Sequence, residues 1–412
     1  MNTLIYKIFL ILIFFFSFNV MCFYNIDANP IFAGYLVVGF VLLFHQNSEA
    51  RHNYFVFFST LSIICFGLYK VWTDESEGAR FMSLNIMLPI VLYAAMPYYS
   101  KEKNHGLWNS IKFILLTAFI IEVGLAFCER IFMYNIFPHV LSDETIASTI
   151  GQSQYSQIID DMTDDKLLDQ EDLEVFRSLS LYGHPLQNAL IVSTIMTFIL
   201  FSNMNMKKKM PLWMFGYIAI LCFNSRSSII INFVVFIIYL IQMVSSHKKR
   251  SNDTVFLIFF TIIISGSIVY LMNTLRYGGR LISMGLLDEN SAKTRIDTWR
   301  IFDNYELSDF LYGHTFEEIN NIYLVTDIIA TENFWIDWLL RYGLFFILGY
   351  IVIYYFILKR LYENYPISVV IITFMAFIIH ASTNNSLSVS WLPMFVFLLC
   401  IKVFDPSNKI IN

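Results

Sequence analysis

Residues 185–250 read PLQNALIVSTIMTFILF, SNMNMKKKM, PLWMFGYIAILCF, NSRS, SIIINFVVFIIYLIQMV and SSHKKR. Three apolar runs, 185–201, 211–223 and 228–244, are separated first by Lys207, Lys208 and Lys209 and then by almost no loop. A bilayer-spanning helix uses about 20 apolar residues. The outer two runs approach that length. The middle one is shorter and reads as a helix shielded by its neighbours. The cluster Lys207–Lys209 and the cluster Lys248–Arg250 fall on the same side of this pair of crossings. An excess of Lys and Arg marks the cytoplasmic side of a membrane protein.

The rest of the chain repeats the pattern. Of 412 residues, 57% are hydrophobic and 14% charged, with mean hydropathy +0.59. A soluble domain carries about 25% charge, so a soluble globular protein, a disordered chain and a nucleic-acid binder are excluded on composition. Further runs lie at 4–22, 30–44, 54–72, 81–98, 111–127, 254–272, 334–358, 366–381 and 387–404, which makes twelve in all. Twelve helices would use about 240 residues. With the N-terminus inside, Lys359 and Arg360 join the two clusters above on one side, and the short outer connections hold only Lys70, Arg80 and Arg226. The first run begins like a signal peptide, but Val20-Met21-Cys22 lacks the small residues of a cleavage site, so we read a retained helix.

The expected fold is all-α and polytopic. Helices 1–5 occupy 1–127, a first large outer segment 128–184, helices 6–9 residues 185–272, a second outer segment 273–333, and helices 10–12 with a cytoplasmic tail 334–412. Both termini are expected inside. The five cysteines are scattered, with neither CxxC nor metal-ligand spacing.

The first outer segment is acidic, and Thr163-Asp164-Asp165 resembles a helix start. Asp161, Thr163, Asp165, Asp169 and Asp172 fall at calcium-loop offsets, but Lys166 stands where the loop needs Gly. A solvated acidic face is the better reading. In the second outer segment a helix is expected from Asn290 or Ser291 to about Tyr305, with Arg295, Trp299 and Phe302 on one face. Periodicity leaves two readings open: a site for an anionic, greasy-tailed ligand, or an interfacial helix with a snorkelling Arg.

Arg226 sits between two apolar runs with no polar loop to retreat into. An Arg at mid-membrane costs at least ~2.5 kcal/mol. Near the outer face the cost is smaller, and Ser225, Ser227 and the start of the next helix point at the same place as the guanidinium. That combination suits an anion. Arg341 lies near an outer helix end, where snorkelling accounts for it. Glu122 lies inside an apolar run with no nameable partner, and His380 reads as an ordinary hydrogen-bonded histidine.

Four local segments carry a resemblance. They are Gly183-His184-Pro185-Leu186-Gln187-Asn188, following Arg177; Asn224-Ser225-Arg226-Ser227-Ser228; Arg295-Ile296-Asp297-Thr298-Trp299 with Leu311-Tyr312-Gly313-His314; and Glu332-Asn333-Phe334 with Leu340-Arg341-Tyr342-Gly343. In this order, over about 177–345, the chain resembles the bacterial O-antigen polymerase and O-antigen ligase superfamily. These enzymes of the inner membrane move a glycan from undecaprenyl pyrophosphate to an acceptor. The resemblance implies a polysaccharide polymerase of the cell envelope and lipopolysaccharide pathway. It implies the lipid-linked glycan and the bilayer as partners, a chain-length regulator and a flippase beside it, and neither cofactor nor metal. Many members, ligases especially, have His-Asn where this chain has Glu332-Asn333, which favours polymerase over ligase.

The residues the resemblance assigns are Arg226, Arg295, Arg300, Ser225 and Ser227 for pyrophosphate, and Arg177, His184, Trp299, Asn333 and Arg341 for substrate. Glu332 and His314 are the general-base candidates. An Arg 4 Å from a phosphate charge gains about 4 kcal/mol at an effective dielectric of ~20. A transporter of lipid-linked sugar is the alternative from another class, but paired repeats are lacking.

Overall fold

In a computed structural model the chain is described over residues 2–24, 26, 28–44, 77–95, 105–137, 176–245, 261, 266–274, 277–278, 298–326, 333–364, 366–383 and 386–404. The elements there are helical throughout. They are α1 (Asn2–Phe15), α2 (Phe18–Phe23), α3 (Ala28–Phe44), α4 (Glu77–Ala95), α5 (His105–Phe132), α6 (Pro185–Phe201), α7 (Met206–Phe223) and α8 (Arg226–Ser245). A 3-10 turn (Thr298–Asn304) follows, then α9 (Leu307–Tyr312), α10 (Phe316–Thr326), α11 (Phe334–Asn364), α12 (Ile367–Ser382), α13 (Ser386–Val389) and α14 (Leu392–Val403). Three stretches, Gly106–Phe132, Arg226–Met243 and Phe334–Val352, are long and apolar enough to cross a membrane. The expected runs 54–72 and most of 254–272 lie outside the described residues.

α6 is the axis. Every residue in it except Leu186 is buried, and α5, α7, α8, α12 and α14 all pack on it. Its hydroxyls are satisfied locally or by a neighbour. Thr194 Oγ1 donates to Leu190 O at 2.7 Å and Thr197 Oγ1 to Ser193 O at 2.9 Å. Asn232 of α8 donates Nδ2 to Ser193 Oγ at 2.6 Å. A buried hydroxyl costs little once it bonds back to the turn before it.

Four details differ from the sequence expectation. The first run is two helices, broken at Phe16-Ser17, where Ser17 caps the second helix by accepting from Val20 N at 3.4 Å while its hydroxyl donates to Leu181 O. The last run is likewise two, with Pro393 near the start of α14 favouring a fresh helix there. α11 is kinked at Gly343, whose φ of 73° and ψ of 176° are not helical. The described part of the expected 290–305 helix is a 3-10 turn. Its three-residue period aligns Trp299, Phe302 and Tyr305, whose rings meet in sequence at 5.9 Å and 5.1 Å.

Residues 298–326 form a lobe with a small core of its own. Ile301, Ile319 and Tyr323 pack there against Ile336 and Leu340 of α11.

Candidate functional site

The Asn-Ser-Arg-Ser-Ser turn is built by two helix ends. α7 stops at Asn224, which takes the left-handed conformation (φ 55°) that a C-cap Asn tolerates. Ser225 then accepts the first bond of α8, from Ile229 N at 3.1 Å. Ser225 and Ser228 are buried, whereas Arg226 and Ser227 are half-buried at the rim. Their hydroxyls are organised by the end of α12. Ser228 Oγ lies 2.6 Å from His380 Nε2 and 2.6 Å from Ser225 Oγ, and Thr383 Oγ1 bonds Ser227 Oγ at 2.9 Å. His380 is fully buried. Its bond to Ser228 supports the reading of an ordinary hydrogen-bonded histidine and adds that it holds this turn.

The same end of α12 meets the head of α11, where Trp335 Nε1 donates to Ser382 Oγ at 3.0 Å. Asn333 is the N-cap of α11, its Oδ1 accepting from Trp335 N at 2.9 Å. The structure therefore brings the Ser-Arg segment and the Asn333 segment together through 380–383. Arg341 is buried, with Nε 3.0 Å from Asp337 Oδ1 one turn back. It does not snorkel.

The lobe is fixed to α11 by two interlocked glycines. Gly313 (φ 72°) and Gly343 (φ 73°) both occupy the left-handed half of φ space. A Cβ on Gly313 would sit 2.7 Å from the backbone of Arg341, and one on Gly343 would sit 2.5 Å from Leu311 C. The kink at Gly343 takes the next amide away from Leu340 O, and His314 N donates to that carbonyl instead, at 2.7 Å. Two segments thirty residues apart are thus one joint. On the lobe, the His314 ring packs edge-on against Tyr305 at 4.8 Å, with Nδ1 3.5 Å from Glu318 Oε2. Burial pushes the Tyr305 hydroxyl well above the usual phenol range. Trp299 and Arg300 are exposed. Arg295 and Glu332 lie outside the described residues, as do the acidic positions 143–174.

The segment before α6 was missed by sequence. Phe176–His184 is an irregular strap that ends in a turn, with Gly183 N donating to Leu179 O at 3.0 Å, and Ser178 through Gly183 is buried inside the helical body. Two carboxylates of α5 hold it. Leu181 N donates to Glu122 Oε2 at 3.1 Å, and Ser180 N to Glu129 Oε2 at 2.8 Å. Arg130 donates Nη1 to Phe176 O at 3.2 Å and stacks on Tyr277 at 5.1 Å. Glu122 therefore has its partner, a backbone amide. Arg177 and His184 sit half-buried at the two ends of the strap, His184 at the N-cap position of α6. The signal available in sequence was a second acid, Glu129, two helical turns after Glu122 on the same face.

Among the described residues no group of three or more His, Cys, Asp or Glu side chains could hold a metal ion. No protein-family model, curated protein or solved structure matches this chain.

Proposed function

We propose that the chain is an integral membrane polymerase that joins lipid-pyrophosphate-linked oligosaccharide repeats at the outer face of the bacterial inner membrane. Membrane residence is supported by apolar faces that are bare in the helical body. On α12, Ile367, Ile371, Met375 and Ile379 recur every fourth residue and are all exposed. Such a stripe is a liability in water and ordinary in lipid. Twelve crossings with both termini inside remain the topology that the basic clusters favour.

The observation that carries the reading is that two of the family-like segments, at the heads of α8 and α11, both meet the end of α12. Arg226 stands at the head of α8, beside hydroxyls held by α12. α12 also touches the head of α11, and α11 carries the lobe with His314. In this reading Arg226, Ser227 and the first amides of α8 hold the pyrophosphate as it leaves, where developing charge rewards fixed donors. The acceptor sugar approaches from the lobe side, and His314 removes its proton.

The test is a deletion strain. Lipid-linked single repeats, or glycan capped with one repeat, are expected. Full-length polymer accumulating on the carrier would instead make the chain a ligase, and repeats trapped on the cytoplasmic face would remove both enzyme readings. Arg226→Ala is expected to abolish the polymer ladder at normal protein level.

A further inference from the structure

We infer that Glu318 is the positioning residue of His314, the two forming a carboxylate–imidazole dyad that presents Nε2 and the Tyr305 hydroxyl to a sugar hydroxyl. The inference rests on the polymerase reading above. It starts from an anomaly. Buried polar side-chain atoms are nearly always hydrogen-bonded. Among the described residues, His314 Nε2 and Tyr305 Oη are both buried with no such partner, and their rings touch at 4.8 Å. One acceptor and one donor, side by side, match a hydroxyl and a neighbouring oxygen of a sugar.

The tautomer follows from the other nitrogen. Nδ1 lies 3.5 Å from Glu318 Oε2, and an anionic oxygen takes the proton-bearing nitrogen. The lone pair is then on Nε2. A contact of 3.5 Å is long for a hydrogen bond, as dyads often are before substrate tightens them. Glu318 stays ionised because Thr315 N donates to the same oxygen at 2.8 Å, holding the carboxyl below the usual range against the opposing effect of burial.

The other charged and titratable groups around the imidazole leave this assignment intact. Asp309 accepts from Glu306 N at 2.9 Å and Ser308 Oγ at 3.3 Å. Arg341 of α11 pairs with Asp337. Burial keeps the Tyr305 phenol neutral. In the reaction the acceptor O–H proton passes to Nε2 while its oxygen bonds the anomeric carbon. The bond from that carbon to the pyrophosphate oxygen breaks, and the pair leaves on the pyrophosphate. Glu318 stabilises the imidazolium until water takes the proton.

Glu318 also caps α10, since Thr315 and Glu318 form the reciprocal pair in which Gln serves as well as Glu. Glu318→Gln therefore keeps the cap and removes the charge. The test uses the full chain in nanodiscs with purified lipid-linked repeats. In Glu318→Gln we expect kcat to fall at least about tenfold with donor KM unchanged. His314→Gln should be inactive, with no further loss on adding Glu318→Gln. Histidine NMR gives a readout independent of turnover. The His314 ring-nitrogen signals, assigned by their loss in His314→Gln, should show a single tautomer with the proton on Nδ1 in wild type and a mixture of both tautomers in Glu318→Gln. A His314 tautomer unchanged in Glu318→Gln overturns the dyad, as does a Glu318→Gln enzyme with wild-type kcat. Activity in His314→Gln overturns its role in the reaction. A wild-type protein that makes no polymer overturns the polymerase reading itself, and the inference with it.

Discussion

The strap 176–184 and the lobe 298–326 are both polar breaks between apolar runs, yet they are held in opposite ways. The strap has almost no regular structure, so its amides need acceptors, and the host supplies them. Glu122 and Glu129 accept from two of its N–H groups, and Cys222 O accepts from Ser178 N at 3.2 Å. The lobe brings helices of its own, capped by its own side chains. Asp309 caps α9 and Glu318 caps α10. From the host it takes the Leu340 carbonyl, the apolar faces of Ile336 and Leu340, and the space of two missing side chains. Irregular backbone is buried only where a host donates hydrogen-bond partners. Helical backbone can be docked through a single joint.

That contrast can be broken on the lobe side by attacking its host helix. Arg341→Ala strips the buried Asp337 of its cation, and losing one member of a buried ion pair costs about 3–5 kcal/mol. The pair lies between the lobe's docking turn and the head of α11. We therefore expect protease cleavage in 298–326 well before the helical body melts. Cleavage only after global melting would mean that the lobe is no more independent than the strap.

The joint itself comes next. Gly343→Ala adds a Cβ against the backbone of Leu311 and Tyr312 in a conformation that L side chains avoid, at about 3 kcal/mol for strain and overpacking together. Lobe amides should lose hydrogen-exchange protection while Ser178–Gly183 keep theirs. Equal loss in both regions would show one cooperative unit.

On the strap side, Glu129→Gln replaces an acceptor oxygen with an NH2 group facing either Ser180 N or Ile136 N. One buried donor unmet costs about 1–3 kcal/mol. Thermal unfolding of the purified protein measures it. Combined with Gly343→Ala the two losses should add, since the sites share no contacts. A combined loss smaller than the sum would reveal coupling between strap and lobe.

The two regions also differ in how far sequence reveals them. The lobe's parts were on the page as motifs, and the Ser-Arg turn and the bounds of 185–201 were read as they stand. Helix periodicity and turn residues are local signals. What stayed hidden is non-local. That Gly313 answers Gly343, that Ser17 serves Leu181 O, and that His380 and Thr383 hold Ser228 and Ser227 are pairings across 30 to 164 positions, with no trace in local pattern. The burial of the strap stayed hidden because 128–184 reads as one outer segment, although two acids on one face of an apolar helix, Glu122 and Glu129, are its partners. The 3-10 turn was missed because periods of 3.0 and 3.6 part company only after several residues.

The smallest expected effect separates the two regions by pH. Glu318 is the lobe's cap, and its carboxyl is depressed chiefly by the Thr315 N–H, with His314 adding to it. A depressed carboxyl stabilises the fold above its unfolded pKa, about 4.3. That contribution is lost as pH falls through the lower folded value. The start of α10 should therefore be fully protected at neutral pH and should fray as pH drops below about 4. The side chain is 58% exposed, so the effect is local and modest. Exchange of the Thr315 amide between pH 6 and pH 3, corrected for intrinsic chemistry, measures it. Glu318→Gln should flatten the dependence by removing the proton-binding site while leaving an acceptor at the cap. If the variant frays with the same pH dependence as wild type, the acid sensitivity belongs to another carboxylate, and Asp309 at the cap of α9 becomes the group to change.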